Sequence, residues 1–401
     1  MSETKGDADI VIAGGGPAGM MAGLLFARAG LKTVVLEKHG DFLRDFRGDT
    51  VHPSTLALID QLGLLNAFLA LPHDRVNRIS AMIEGREWRI ADFARLPLPA
   101  NFVAMMPQWH FLDFLAGTAG RYPRFDLRMS CEATGLIVEG DRVAGLRTPS
   151  GEIRARLTIL ADGRGSRLRG EGGLPLRDLG APIDVLWFRV PAAPAAANRT
   201  GGYIAGGEMI VAIDRGDYLQ CARVIAKGGA DAIRTRGIAA FRADVVRVVP
   251  MLGPSIGAVA GWDEVKLLSV SLDRLERWHR PGLLAIGDAA HAMSPVGGVG
   301  INLAIQDAVA AANILAAPMM AGADPDPLLA RVQARRMMPV RVIQAMQAAV
   351  HRNILSPTLA GRTVAAPLPV RLLDRSAALR AIPARVLGLG LRRERILSPE
   401  A

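Results

Sequence analysis

Residues 8–37 constrain the fold of this 401-residue chain more than any other stretch. Ala8–Ala13 (Ala-Asp-Ile-Val-Ile-Ala) is a short apolar β run. Gly14-Gly15-Gly16-Pro17-Ala18-Gly19 follows without a spacer, and Met20–Ala29 is apolar at helical spacing. Gly30 stops the helix, and Lys32–Glu37 is a second strand that ends in an acid. A glycine turn alone is weak evidence. Strand, glycine turn, helix, strand and acid in this order define a dinucleotide-binding βαβ unit. Gly14 permits the tight turn, Gly16 lets the backbone approach a pyrophosphate, and Gly19 lets the helix pack close to the strand. Pro17 and Ala18 open the helix, whose N-terminus offers N–H groups and a positive dipole end to phosphates. Glu37 can accept from both ribose hydroxyls, and its charge disfavours a 2′-phosphate. The unit therefore suits the ADP moiety of FAD or NAD, with a purely structural glycine-rich turn as the bland alternative.

Composition narrows the class. Half of the residues are hydrophobic and 21% are charged, which excludes a disordered tail, a collagen-like repeat and a disulfide scaffold. Cys131 and Cys221 lie far apart with no CxxC, so neither a zinc cluster nor a disulfide framework is expected, and this usage fits a reducing cytoplasm. Residues 1–10 carry acids and no apolar stretch, so no secretory signal is read there. A spanning helix is not expected either: the longest candidate, Leu303–Gly322, is interrupted by Gln306, Asp307, Asn313 and Pro318. The net charge of +10 rests on arginine, since only five of the 48 basic residues are lysine. Such a bias suits nucleic acid, anionic lipid or acidic ligands, or simply an arginine-rich genome. With 5% aromatics and no basic run interleaved with them, nucleic acid is not supported.

Two further motifs choose the cofactor. Leu157–Leu160 is an apolar strand that runs into Asp162-Gly163, followed by small and basic residues. Gly282–Ile286 is another, ending in Gly287-Asp288-Ala289-Ala290-His291, after which a Pro/Gly-rich loop from Pro295 leads into a helix over Leu303–Leu315. With the opening fingerprint, this set resembles the single-component FAD-dependent aromatic hydroxylases, whose best-known member is p-hydroxybenzoate hydroxylase. Ala161-Asp162-Gly163 matches the family's DG motif, and Gly287-Asp288 with His291 and Pro295 matches its GD motif. The segment Arg47–Thr55 and Pro107-Gln108-Trp109 also look like family segments near the flavin. The resemblance covers roughly residues 8–340.

The resemblance implies an α/β fold: a Rossmann-like FAD-binding domain with an inserted antiparallel β-sheet substrate domain and a C-terminal helical region. The expected division gives the FAD-binding domain residues 1–75, 101–175 and 271–340. Strands in 76–100 and the sheet of 176–270 form the substrate domain, and 341–401 is helical. FAD contacts are expected at Gly14, Gly16, Pro17, Ala18, Gly19, Glu37, Lys38, Arg47, Gln108, Asp162, Gly163, Gly287, Asp288, Pro295, Gly298, Gly300, Ile301 and Asn302. Asp288, at a strand end, can accept from ribityl hydroxyls. The backbone of the 295–302 loop can lie against the isoalloxazine, and the following helix N-terminus can stabilise the negative charge of reduced flavin. Where many relatives have Gly-Gln-Gly, this chain has Gly298-Val299-Gly300, so a side-chain hydrogen bond is lost.

The family reading also implies that NADPH or NADH, bound transiently, reduces FAD. Reduced FAD takes up oxygen as a C4a-hydroperoxide that hydroxylates or epoxidises an aromatic, quinone-like or polycyclic substrate. Catalytic work is expected of Pro295 and Gly298 in the loop. His291 is either a proton shuttle or, more simply, a packed histidine that braces it. Arg164 and Arg167 suit phosphate contacts or ion pairs equally. No metal is expected, because the seven histidines show no ligand spacing.

Val185–Val190, Met209–Ile213, Tyr218–Ile225 and Val265–Ser271 read as antiparallel strands, with a helix over Asp231–Val249. Trp187, Arg189, Tyr203, Tyr218 and Gln220 are the substrate candidates, and strand alternation places Tyr218, Gln220 and Ala222 on the cavity face. No cluster of tyrosines and polar groups suited to a small acid is evident, which favours a larger, more apolar substrate. The last stretch, rich in arginine with leucine, valine and isoleucine between, is expected as a helix broken by Pro383, Gly388 and Gly390. It either docks on the body or contacts an anionic membrane surface from the cytoplasmic side. Two alternatives remain on the same fold: an FAD-dependent reductase of a prenyl or hydrophobic substrate, which would need no oxygen, and a non-enzymatic flavin-bearing interaction protein. A flavin halogenase would need a Trp-x-Trp-x-x-Ile signature, which is absent.

Overall fold

The computed structural model describes residues 7–43, 50–192, 200–361 and 366–401. β1 (Ala8–Ala13), α1 (Pro17–Arg28) and β2 (Thr33–Leu36) build the expected βαβ unit. The chain then leaves for β3 (Arg78–Ile83) and β4 (Arg86–Asp92) and crosses back through α2 (Gln108–Ala119) to β5 (Phe125–Arg128) and β6 (Gly151–Leu160). A second excursion makes β7 (Ile183–Pro191), β8 (Gly201–Ala205), β9 (Glu208–Asp214), β10 (Tyr218–Ala226), α3 (Gly237–Val248) and β11 (Lys266–Ser269). β12 (Leu283–Ala285) returns, followed by α4 (Gly300–Met320), α5 (Asp326–Val350), α6 (Leu368–Arg375) and α7 (Ala377–Gly388).

The first sheet has a parallel core, β12-β6-β1-β2-β5, to which short strands at 279–280, 142–148 and 135–139 add antiparallel. β1 and β2 read as nearly unbroken apolar runs because a parallel sheet is covered on both faces. Here α1 and α4 provide cover, and α4 is apolar almost throughout because it is core. By length and composition α4 could cross a membrane, yet 78% of its apolar window is buried in protein. It starts at Gly300, three residues earlier than its periodicity indicates, and runs to Met320 with Pro318 inside the last turn.

The second sheet runs β11-β7-β10-β9-β8-β3-β4. Residues 78–92 thus join strands from 183–269, and the sheet is antiparallel except where β8 meets β3. The helix expected over 231–249 is two helices, Ala230–Thr235 and α3. Arg236 lies between them, and Gly237, which opens α3, is at φ +83°, a conformation that breaks α-helical continuity. α3 packs on one face of the sheet through Phe241, Val245 and Val248. The C-terminal helices divide at Ser376, not at Pro383, which lies inside α7; the Ser376 hydroxyl accepts from Leu379 N and caps α7.

Below the first sheet's edge lies a buried ion node. Asp307 Oδ2 accepts from Gly287 N (3.1 Å) and meets His291 Nε2 at 2.6 Å, while Oδ1 accepts from Arg336 Nε at 2.9 Å. Arg336 also reaches Glu394, whose backbone N–H donates to Gln306. Burial opposes the charge on Asp307, but His291 and Arg336 outweigh it and hold the carboxyl below the ordinary range. Replacing Asp307 with Ala leaves Arg336 charged and buried with its Nε unpaired and Glu394 as its remaining carboxylate, and should cost about 3–5 kcal/mol. A depressed folded-state value means that this stabilisation is present above the ordinary carboxyl range and is lost as pH falls through the folded value. Asp307→Ala should therefore lower Tm strongly at pH 7 and narrow its gap to wild type in acid; a gap independent of pH would refute the ion-node account.

Candidate functional site

The register of the parallel sheet assembles the site. Ala13 pairs with Leu36 on one side and Leu160 on the other, and Leu160 pairs with Ala285. Four strands therefore end level, and their following residues emerge along one edge: Gly14–Gly16, Glu37, Asp162-Gly163 and Gly287-Asp288. Ligands of open parallel sheets bind outside this carboxyl edge.

The glycines divide their tasks by space. At Gly14 (φ +102°) a Cβ would lie 2.4 Å from Ala161 O, and at Gly19 it would lie 1.9 Å from Gly14 O, so these two positions pack backbone on backbone. At Gly16 a Cβ would meet nothing within 4 Å. That open space borders the N-terminus of α1, which has no side-chain cap and no acid in its first turn. A diphosphate fits such a cradle, because the unpaired N–H groups and the dipole favour an anion. Glu37 is buried; Oε2 accepts from Gly15 N at 3.1 Å and Oε1 from His39 N at 3.0 Å, so the acid braces the turn. Lys38 is exposed beside it, and Gln108 is buried in the first turn of α2.

Asp162 and Gly163 follow β6, with Gly163 at φ +88°. Arg164, on this turn, donates from Nη2 to Asp288 Oδ2 at 3.2 Å, so of its two expected roles the ion pair is the one observed. Arg169 donates to Arg164 O and Ala289 O and ties the two turns together. Gly287 (φ +59°) lies between α1 and α4, where a Cβ would come within 3.1 Å of Ala18 and Ala304.

The loop after Pro295 turns through Gly297 (φ +82°) and Gly298 (φ +60°) into α4, again a helix start without a side-chain cap or a first-turn acid. Three neighbours hold it. Thr50 Oγ1 donates to Gly298 O at 2.7 Å. Asn302 Nδ2 donates to Thr50 O and Gly298 O, and its Oδ1 accepts from His52 N and Thr55 Oγ1. Gln347 Nε2 donates to Ser294 O and Val296 O, and its Oε1 accepts from Ser294 N. Ile301 packs into the main core. His291 points at Asp307 beneath the loop, which is the bracing position.

His52, which sequence reasoning did not single out, is buried between the loop and α7. Its Nδ1 is 2.8 Å from Leu387 O, and the Gly298 carbonyl is a second partner. Burial lowers its pKa more than these carbonyls raise it, so the ring is neutral at pH 7 and can donate to one of them at a time.

The cross-strand register assigns the substrate candidates to faces. Arg189 opposes Gln220, Trp187 opposes Ala222, and Ala222 opposes Val211. Trp187, Arg189, Tyr218 and Gln220 therefore share one face, with Val211 and Ile213. Trp187 and Val211 pack with Val296 of the loop on one side and with Val103 and Met105 on another. Tyr203 is a correction: it opposes Ile210 and lies on the opposite face, with its hydroxyl 4.0 Å from Met251 Sδ. On that same face Arg223 is committed to Glu208 and Asp244. Gln220 is buried; its Oε1 accepts from Arg215 Nε at 3.4 Å, and its Nε2 has no partner among the described residues. Arginine has no acceptor, so the amide oxygen must face Arg215 and the NH2 must face away. Arg47 lies outside the described residues. Cys131 and Cys221 are free, and burial pushes the Cys221 thiol up to about 12, out of reach of nucleophilic work. Among the described residues no cluster of metal ligands occurs.

Residues 7–346 match the model of a family described as "FAD binding domain". The chain is 32% identical over 387 residues to 6-methylpretetramide 4-monooxygenase of Streptomyces rimosus, spanning 94% of this chain and 91% of that one. It is 27% identical over 330 residues to dialkyldecalin synthase of Streptomyces rugosporus, spanning 79% and 66%. PqsL of Pseudomonas aeruginosa, solved with 2-aminobenzoylacetate, superposes with a TM-score of 0.77 at 21% identity, over 88% of this chain and 98% of that one, a likeness of fold.

Two glycine variants separate cofactor space from packing space. Gly16→Val should purify colourless yet melt at the Tm of wild-type apoprotein, because its side chain enters only the open cradle. Gly19→Ala should lower the Tm of the apoprotein itself, by overlap with Gly14 O. Flavin absorbance and thermal melts read both, and a yellow Gly16→Val protein would refute the cradle.

Proposed function

The chain belongs to the single-component FAD-dependent aromatic hydroxylase family, and we propose that it uses NAD(P)H and dioxygen to hydroxylate or epoxidise a polycyclic aromatic or quinone-like substrate. When bound, FAD supplies the redox chemistry that activates dioxygen for transfer of one oxygen atom. The observation that carries the reading is the level ending of four parallel strands, which brings the glycine cradle, Glu37, the Asp162 turn and Asp288 to one edge beside the 295–302 loop.

In this proposal each residue acts by holding or excluding. The α1 N-terminus and Gly14–Gly19 hold the diphosphate, Glu37 the adenosine ribose, and Asp288 the ribityl chain, with Arg164 fixing its carboxylate. Gly298, at positive φ with Thr50 where a Cβ would lie, and Gly300 would shape the loop whose backbone would border the isoalloxazine. The uncapped N-terminus of α4 favours negative charge there, an electrostatic contribution that needs no reorganisation. Pro295, Thr50, His52, Asn302 and Gln347 keep the loop in that shape. Trp187, Val211, Ile213, Val103 and Met105 exclude water above it. This wall is mostly apolar, which supports a large fused-ring substrate over a small acid. Gln220 Nε2 supplies a donor to a substrate oxygen. A peripheral contact of the arginine-rich C-terminal segment with lipid on the cytoplasmic side belongs to the same reading, because fused-ring and quinone substrates partition into membranes.

The competing reading is a flavin-bearing protein that transfers no oxygen, and the synthase relative favours keeping it in view. Purified yellow protein, given NADH or NADPH with a panel of quinones, quinolones and aromatic polyketides, distinguishes the two. The expected result is substrate-stimulated oxidation of the nicotinamide, strictly oxygen-dependent, with one atom from labelled dioxygen in the product. Turnover without oxygen, or no stimulation across the panel, would support the alternative. With an accepted substrate, Gln220→Leu should raise KM about tenfold, the size of one lost hydrogen bond to a neutral acceptor, with kcat changed far less.

A further inference from the structure

The α6–α7 hairpin has two unlike faces. Both helices pack on β4, the edge strand of the second sheet. On the inner side, Asp374 accepts from the backbone N–H and Nε of Arg89 and pairs with Arg86, which closes the strand edge. Ala384 and Gly388 fit against Phe93 and Leu96, and Leu387 joins the apolar cluster that includes Trp187, Val211 and Ile213. α7 therefore packs into the same apolar cluster as the substrate-candidate face of the second sheet.

The outer side is different. On α6, Leu368, Arg371, Leu372 and Arg375 are exposed, at helical spacing i, i+3, i+4, i+7. On α7, Ala378, Leu379, Ile382 and Arg385 are exposed. Leu368 is 68% and Ile382 59% exposed, with Leu372 and Leu379 also open. Large apolar residues are normally exposed singly; here four lie on one short hairpin. The polar residues among them on this face are arginines. The hairpin's carboxylate, Asp374, is turned inward and used.

We propose that this outer face docks on an anionic lipid surface. Arginine stems extend along apolar surface and place their guanidinium groups at phosphate level, while leucine and isoleucine enter the acyl boundary. A second copy of this chain is a poor occupant: a two-fold contact would bring Arg371, Arg375 and Arg385 against themselves with no carboxylate on the face. An acidic protein would satisfy the arginines but needs partners for four apolar side chains spread over a convex two-helix surface. The proposal rests on the preceding reading only for its purpose, delivery of a lipid-dissolved substrate to the site beside which α7 packs; the contact itself requires no turnover.

FAD-loaded protein should co-float with vesicles of equal parts phosphatidylglycerol and phosphatidylcholine, and not with phosphatidylcholine alone. Salt well above physiological strength should release it. Arg375→Gln/Arg385→Gln should weaken binding on the order of 25-fold, from about fivefold per arginine near the surface. Leu368→Ser/Ile382→Ser should weaken binding with the salt dependence retained. All variants should keep the flavin spectrum and Tm, since these side chains are exposed. No flotation at low salt, or flotation unchanged in both variants, overturns the proposal. Self-association that the same substitutions abolish would reassign the face to a second copy. Binding to soluble polyglutamate but not to vesicles would reassign it to an acidic macromolecule. Each outcome is read without substrate, so loss of vesicle binding and loss of oxygenation remain distinguishable.

Discussion

A carboxylate with no access to water sits where four separate pieces of the chain meet. Asp307 receives the backbone N–H of Gly287, the imidazole of His291 and the guanidinium of Arg336, and through Arg336 it reaches Glu394. A buried charge is tolerated only with such a complete set of partners. The set spans the turn after β12, the middle of α4, α5 and the chain after α7. The position of Asp288 at the sheet edge, and of the loop that starts α4, both depend on this node. The cofactor edge is thus set as much by a charge beneath it as by the glycines that face it.

Above the node, backbone spacing and side-chain bracing act at different places. Where the sheet edge is formed, glycine removes side chains so that Gly14, Gly19 and Ala161 touch backbone to backbone. Where the loop is formed, glycine supplies positive φ, and amide side chains do the holding. Asn302 and Gln347 each use both ends of their amide on backbone or hydroxyl partners of the loop. An amide suits this task because one group donates and accepts at once without introducing charge.

Much of the FAD-binding unit is legible from sequence, because its signals are local. β1 falls at Ala8–Ala13 as its pattern indicates, and the glycine, DG and GD turns each follow a strand. The strands at 183–226 likewise fall where local apolar runs indicate. What sequence hides is pairing. Tyr203 alternates as well as Tyr218 does, but only the register with Ile210 reveals that it faces α3. Arg164 could have met a phosphate or a carboxylate, and the choice depends on Asp288, 124 positions away. The polar residues that interrupt α4 were legible as obstacles to a membrane span, but their partners were not. Gln306 and Asp307 hold Glu394 and Arg336, and Asn313 binds the backbone at 395, 397 and 398. His52 falls inside the Arg47–Thr55 segment, but only the fold shows that it sits between Gly298 and Leu387.

Those α4 contacts belong to a longer strap. Residues 394–401 run along α4 and α1 without regular structure. Gln61 holds Ile396, Arg28 binds the carbonyls of Ser398 and Pro399, and the Ala401 N–H donates to Arg28 O. Arg28 and Ser398 are 370 positions apart. The βαβ unit precedes the strap by hundreds of residues, so the flank of α1 that the strap covers is closed only by chain made much later. Loop closure over that distance delays the final docking step. Until then the nucleotide-binding unit must stand on its own sheet and helix, with one flank of α1 open to chaperones and to other nascent chains.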